Sequence, residues 1–111
     1  MINIKEKCDN SKKKEFYYGA KINKKIKDAY LGMGYLEPNE NNRKIGPGRR
    51  HEEILFILNG KLKLRGKSEE IILNEGDVYF LSDGNKIKLE NLSESRSYFI
   101  IAGGHTKHHK H

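Results

Sequence analysis

Short apolar runs separated by turn-forming residues constrain this chain more than any other feature. From residue 71 onward the runs are no more than five residues long, and clusters of Asn, Asp, Ser, Glu and Gly, such as residues 74–77 and 82–85, separate them. Runs of this length match strands, and turns that recur about every eight to twelve residues are typical of an all-β sandwich or barrel. The 111 residues are enough for one domain of this class.

The centre of the chain carries the strongest local signal. Residues 54–58 and 61–65 flank the dipeptide Asn59-Gly60. An Asn-Gly pair between two strand-like runs is typical of a hairpin with a type I′ turn. We therefore predict that these two runs pair, with Ile57 opposite Leu62.

The first of these runs is apolar on both of its faces. Ile54, Phe56 and Leu58 alternate with Leu55 and Ile57. If Leu55 and Ile57 face the core, the other three residues form an apolar outer face. A bare apolar patch on a small domain favours association. We therefore predict a homodimer.

A second strand is predicted within residues 28–37, because large and small residues alternate over residues 29–36. Gly32 and Gly34 share one face of it with Tyr30 and Leu36. Glycine inside a strand often marks the close approach of another backbone.

The positive charge is concentrated near the N-terminus. The chain carries a net charge of +7, and residues 1–28 hold nine lysines against four acidic residues, a net of +5. This segment has no arginine, so a solvated lysine-rich surface is favoured over contact with nucleic acid or another polyanion. We predict that residues 1–28 form a basic, partly extended segment, with residues 1–15 poorly ordered or at most one short edge strand.

Cysteine content and hydropathy indicate a soluble, cytoplasmic protein. Cys8 is the only cysteine, so no intramolecular disulfide is possible. The longest apolar run has five residues, far fewer than the roughly 20 that cross a membrane. The first 15 residues are polar and show no secretory signal.

The turns and their spacing resemble the two motifs of the cupin superfamily. The first motif, G-x5-H-x-H-x(3,4)-E-x6-G, is matched at its end by Glu53 and Gly60, and the second, G-x5-P-x-G-x2-H-x3-N, keeps its spacing at Gly76, Gly84 and Asn91. The resemblance implies a small double-stranded β-helix, a jelly-roll β-barrel that is usually dimeric.

This resemblance divides the chain into three segments. Residues 29–104 would form the barrel, residues 1–28 would precede it, and residues 105–111 would form a tail rich in histidine.

The metal ligands of the family are largely missing. In cupins, three histidines and one glutamate hold a divalent metal inside the barrel. At the histidine positions this chain has Pro47, Arg49 and Ile87, so only Glu53 remains. One carboxylate is far from the three or four ligands of a tight site, and we predict no metal cofactor.

Two other sources of metal ligands stay open. His51 lies two residues before Glu53, near the expected barrel mouth. The tail offers imidazoles, which bind zinc, nickel or copper well, and manganese is a further alternative. The tail histidines are His105, His108, His109 and His111.

The residues left at the barrel mouth predict a binding module for a small and possibly anionic ligand. Arg49 is expected to bind an anion, and Tyr79 and Tyr98 are expected to line the barrel beside His51 and Glu53. The alternative is an enzyme acting on a sugar or small organic acid, either an isomerase or epimerase with His51 as base and a tyrosine as acid, or a metal enzyme with a rebuilt site.

Overall fold

The computed structural model describes residues 1–106. It contains one short helix, α1, and nine strands, β1 to β9. In chain order these are α1 (Ile4–Asp9), β1 (Glu15–Tyr18), β2 (Tyr30–Leu36), β3 (Arg43–Ile45), β4 (His51–Ile57), β5 (Lys61–Arg65), β6 (Glu70–Asn74), β7 (Val78–Leu81), β8 (Ile87–Asn91) and β9 (Ser97–His105).

The strands form two antiparallel sheets. The five-stranded sheet has the order β1-β2-β9-β4-β7, and the four-stranded sheet has the order β3-β8-β5-β6. The predicted all-β class is therefore confirmed. Within residues 1–106, no helix is long and apolar enough to span a membrane.

The core lies between the two sheets. Alternation along the strands directs residues such as Leu55, Ile57, Leu64 and Phe99 inward, and all four are fully buried. Burial of each such side chain contributes roughly 1.5–3 kcal/mol. Gly34 makes room for the Phe99 ring, because a Cβ at position 34 would overlap it. The predicted glycine face of β2 thus receives a side chain, not a backbone.

Asn91 joins three segments at the end of the core. Its Nδ2 donates to the carbonyl oxygens of Leu36, Glu37 and Ser95 over 3.0–3.2 Å. Its Oδ1 accepts from the Ser93 amide at 2.8 Å and from the Ser97 hydroxyl at 3.0 Å. The last asparagine of the second motif therefore holds the chain where β8 leads into β9.

The predicted hairpin at Asn59-Gly60 is wrong. β4 pairs with β7 and β9, whereas β5 pairs with β6 and β8, so the dipeptide links the two sheets. Gly60 has a positive φ of 88°, but Asn59 does not, so a type I′ turn is absent. The Asn59 side chain instead extends the pairing with β9, since its Oδ1 accepts from the Tyr98 amide at 2.8 Å.

The N-terminal segment is more ordered than predicted. Asn3 caps α1 by accepting a hydrogen bond from the Glu6 amide at 2.9 Å. The helix buries Cys8 against Met33 and Tyr35 on the outer face of the five-stranded sheet. β1 adds an edge strand to that sheet, so the barrel begins before residue 29 and extends through His105. The segment between β2 and β4 contains the short strand β3.

Part of the remaining outer face is apolar and exposed. One cross-strand row runs over four strands through Leu31, Ala102, Ile54 and Phe80. Leu31, Ile54 and Phe80 are 41%, 50% and 57% exposed. We call these four residues the apolar row. It ends at β7, the free edge of the sheet.

Candidate functional site

Glu53 is a carboxylate buried inside the barrel. It lies on β4, on the same face as Leu55 and Ile57, and is only 6% exposed. Its Oε2 accepts a hydrogen bond from the Tyr30 hydroxyl at 2.6 Å. Its Oε1 is buried and has no hydrogen-bond partner among residues 1–106. A buried acceptor left unpaired costs about 1–3 kcal/mol and more when charged, so this oxygen requires an explanation.

A glycine on the neighbouring strand places Tyr30 against Glu53. Gly103 of β9 lies between the two residues, since it is opposite Tyr30 on β2 and opposite Glu53 on β4. A Cβ at position 103 would overlap the Tyr30 ring. Burial and the hydrogen bond to Glu53 raise the pKa of Tyr30, which keeps its hydroxyl protonated as a donor.

Two histidines and an aspartate lie at the barrel mouth, near Tyr30 and Glu53. The His51 and His105 rings lie 4.2 Å apart, and the His51 ring lies 6.0 Å from that of Tyr30. Asp28 accepts from the His105 amide at 2.9 Å and also contacts its ring, which lowers the pKa of Asp28. Tyr17 packs edge-on to the Tyr30 ring at 6.1 Å. We call this set the mouth cluster: Tyr17, Asp28, Tyr30, His51, Glu53 and His105.

The residues present do not fit the metal of the cupin family. Pro47 is fully buried, Ile87 is 3% exposed within the main core, and Arg49 points to solvent. Ile87 packs in one cluster with Leu55 and Leu89. Over residues 1–106, no three His, Cys, Asp or Glu side chains are placed to hold an ion. The four positions that hold the metal in cupins therefore supply one carboxylate here, that of Glu53.

Of the four tail histidines, only His105 lies within the described residues. His105 is the last residue of β9, and its ring contacts Asp28. His108, His109 and His111 lie outside the described residues.

Tyr79 and Tyr98 do not join the mouth cluster. Tyr79 packs against the main core, but its hydroxyl donates to Glu69 at the surface. The expectation that Tyr98 lines the barrel is wrong: its hydroxyl donates to Asp9 of α1 at 2.5 Å, on the outer face. Its neighbours Ser97 and Phe99 are the inward residues of β9.

The arginines at the loop before β4 are exposed. The Arg50 amide donates to Asp83 at 2.7 Å, and the Arg49 carbonyl lies 3.0 Å from His51 Nδ1. Neither guanidinium group forms an ion pair within residues 1–106.

Sequence reasoning did not assign Tyr17 and Tyr30 to the site. A signal for Tyr30 was present, because it shares the face of β2 that holds Gly32 and Gly34. Glycines leave space for both rings: Tyr17 lies over Gly32 of β2, and Tyr30 lies over Gly103 of β9.

Two antiparallel sheets around one core, in this strand order, define a double-stranded β-helix, that is, a jelly-roll barrel. No protein-family model and no curated protein matches the sequence. Solved structures do match, and several of them are cupins. The chain has the cupin fold, as its motif spacing predicted.

Three solved structures illustrate the likeness. A cupin protein from Bacteroides fragilis is 18% identical, with a TM-score of 0.69 over 91% of this chain and 84% of that one. A predicted oxalate decarboxylase from Thermotoga maritima is 19% identical, with a TM-score of 0.67 over 82% and 78%. The Schizosaccharomyces pombe Cnp3 cupin domain is 12% identical, with a TM-score of 0.63 over 70% of this chain, which spans 56% of that one.

Proposed function

We propose that this chain is a metal-free cupin binding module that takes a small ligand at the mouth cluster. The observation that carries the proposal is the buried Glu53 Oε1 without a partner. A ligand hydroxyl or amine that donates to this oxygen would satisfy it. Buried polar atoms without partners are rare in folded proteins, and a ligand site is one place where they occur.

The chemistry of the mouth cluster narrows the ligand class. Glu53 is acidic and Tyr30 already donates to it, so an anionic group beside Oε1 would be repelled. The Tyr17, Tyr30 and His51 rings offer flat apolar surfaces around that oxygen. A small polyhydroxy compound or amine fits this combination better than the anion expected from Arg49, which is exposed.

The test is a titration of ¹⁵N-labelled full-length chain with myo-inositol, D-galactose and ethanolamine, with oxalate as the anionic comparison. We expect amide shifts at His51, Gly103 and Tyr30 with at least one hydroxyl or amine probe, and none with oxalate. Glu53→Gln should remove these shifts.

The matched control is Glu52→Gln. Glu52 is the preceding residue of β4 and is exposed, so the same change there alters the net charge but not the mouth. Shifts that survive Glu53→Gln, or binding of oxalate alone, would contradict the proposal, as would the absence of shifts with every donor probe at millimolar concentration.

A second candidate function is metal-free acid–base chemistry on a sugar or small organic acid. The observation in its favour is that His51 and Tyr30 lie side by side at the mouth, 6.0 Å between ring centroids. Tyr30, not Tyr79 or Tyr98, would then be the acid. Proton exchange at a sugar carbon, followed in D₂O by NMR and lost in Tyr30→Phe, would support this candidate.

We also propose that two copies pair through the apolar row. Four consecutive strands present no charged side chain along it, in a chain whose residues are 33% charged. The row lies on a regular sheet face and ends at the free edge of β7, so a two-fold axis can pair it with itself.

A further inference from the structure

Five cationic side chains surround one hollow on the four-stranded sheet. The hollow has a volume of about 580 Å³, and its remaining lining residues are Gly66 and Ile87. We call this depression, with the five cations that line it, the basic hollow. The cations are Lys44, Arg65, Lys67, Lys86 and Lys88.

The strand register concentrates this charge. Lys44 on β3 lies opposite Lys88 on β8, and Lys88 lies opposite Arg65 on β5. Like charges directly opposite each other on neighbouring strands destabilise a sheet. Across the sheet, the first acidic residue in register with these three cations is Glu70 on β6, which lies opposite Arg65. The stability of the sheet therefore does not explain why these cations lie next to one another.

The charge of the basic hollow is not neutralised by ion pairs. Within residues 1–106, its five members have no carboxylate partner, whereas Lys5, Lys14, Arg43 and Arg96 do. The nearby Glu69 carboxylate accepts from the Tyr79 hydroxyl.

Two of the cations are held in place by uncharged groups. Arg65 Nη2 donates to the Asn41 carbonyl at 2.7 Å, and Lys86 Nζ donates to the Gly46 carbonyl at 2.8 Å. Such bonds restrict the side chains and leave their positive charge available to an anion.

We propose that the basic hollow binds a small molecule carrying two or more linked phosphate groups. Lys44, Lys88 and Arg65 cover two interstrand steps, about 10 Å, which is wider than one phosphate group can contact. The lining residues include no aromatic ring on which a nucleic-acid base would stack. A compact polyphosphate satisfies both observations.

This site is separate from the Glu53 site. The basic hollow is formed by the four-stranded sheet and its adjoining loops, whereas Glu53 lies on β4 of the five-stranded sheet, and the two sites carry charge of opposite sign. The two proposals therefore stand or fall independently, because Glu53→Gln leaves all five cations unchanged.

The test measures binding of inorganic tripolyphosphate, pyrophosphate and orthophosphate to the full chain by calorimetry at fixed salt. We expect affinity to fall in that order. Lys88 lies between Lys44 and Arg65, so Lys88→Gln should weaken tripolyphosphate binding by about tenfold. It should melt at or above the wild-type temperature, since it removes a like-charge contact.

The matched control is Lys61→Gln, at the opposite end of the same strand as Arg65. It makes the same charge change, and we expect binding within about twofold of wild type. Equal losses in the two variants, or orthophosphate binding as tightly as tripolyphosphate, would overturn the proposal. A random single-stranded oligonucleotide that binds more tightly than tripolyphosphate would also overturn it and would assign the surface to nucleic acid.

Discussion

Replacement of Glu53 by glutamine should make the protein more stable while removing ligand binding. Glutamine has the same shape, keeps an oxygen that accepts from Tyr30, and removes the buried charge. The unpaired Oε1 costs the folded state about 1–3 kcal/mol. The amide leaves an unpaired donor in its place, so only part of this cost is regained, and we expect a gain of about 1 kcal/mol.

Urea unfolding followed by circular dichroism at pH 7 measures this change. A gain of 1 kcal/mol corresponds to about 4 °C in Tm for a domain of this size. Glu52→Gln, on the exposed face of the same strand, should stay within about 0.5 kcal/mol of wild type.

The opposite result would refute the reasoning. If Glu53→Gln lowers the free energy of unfolding by 1 kcal/mol or more, then Oε1 is engaged by a partner in the free protein. The mouth would then be a satisfied polar core, and the ligand proposal would lose its main support.

Four further predictions follow from the fold. Gly60→Val should cost about 1 kcal/mol or more, because position 60 has φ of 88° and a Cβ there would overlap Ser97; a wild-type Tm would contradict this. Asn91→Ala removes five hydrogen bonds and should cost about 3 kcal/mol or more by urea unfolding, and a cost below 1 kcal/mol would show that the contacts carry little energy. Light scattering should give a dimer for wild type at micromolar concentration and a monomer for Phe80→Lys, and a wild-type monomer would exclude pairing. Burial raises the pKa of the Cys8 thiol to about 11, so labelling with a thiol reagent at pH 8 should be much slower in the folded protein than in urea; equal rates would mean that α1 opens freely.

Local chemistry was sufficient to predict most of the strands but not their partners. An apolar run followed by Asn-Gly is the hairpin signal, yet in this barrel it marks a link between sheets. The backbone groups of Ile57 pair with Gly76 and Asp77, and those of Lys61 pair with residues beyond β8. The local sequence pattern does not show which distant segment a strand pairs with.

The two faces of β9 illustrate a second limit of prediction from the sequence. This strand is apolar on both sides, so alternation does not determine whether Tyr98 or Phe99 faces inward. In the structure, Tyr98 packs against the cluster that contains Cys8 of α1, and Phe99 faces inward. The motif spacing did identify Glu53, but the meeting of Tyr30, Glu53 and His105 depends on the order β2-β9-β4, which only the folded sheet supplies.

The central position of β9 has a consequence for synthesis on the ribosome. β2 and β4 both pair with this strand, although they precede it in the chain by many residues. Until residues 97–105 emerge from the exit tunnel, each of these strands has a bare edge on that side, and Tyr30 and Glu53 have neither Gly103 between them nor His105 near them. The nascent chain must therefore wait for β9 before the barrel can close, and its apolar strand edges are exposed to chaperones during that interval.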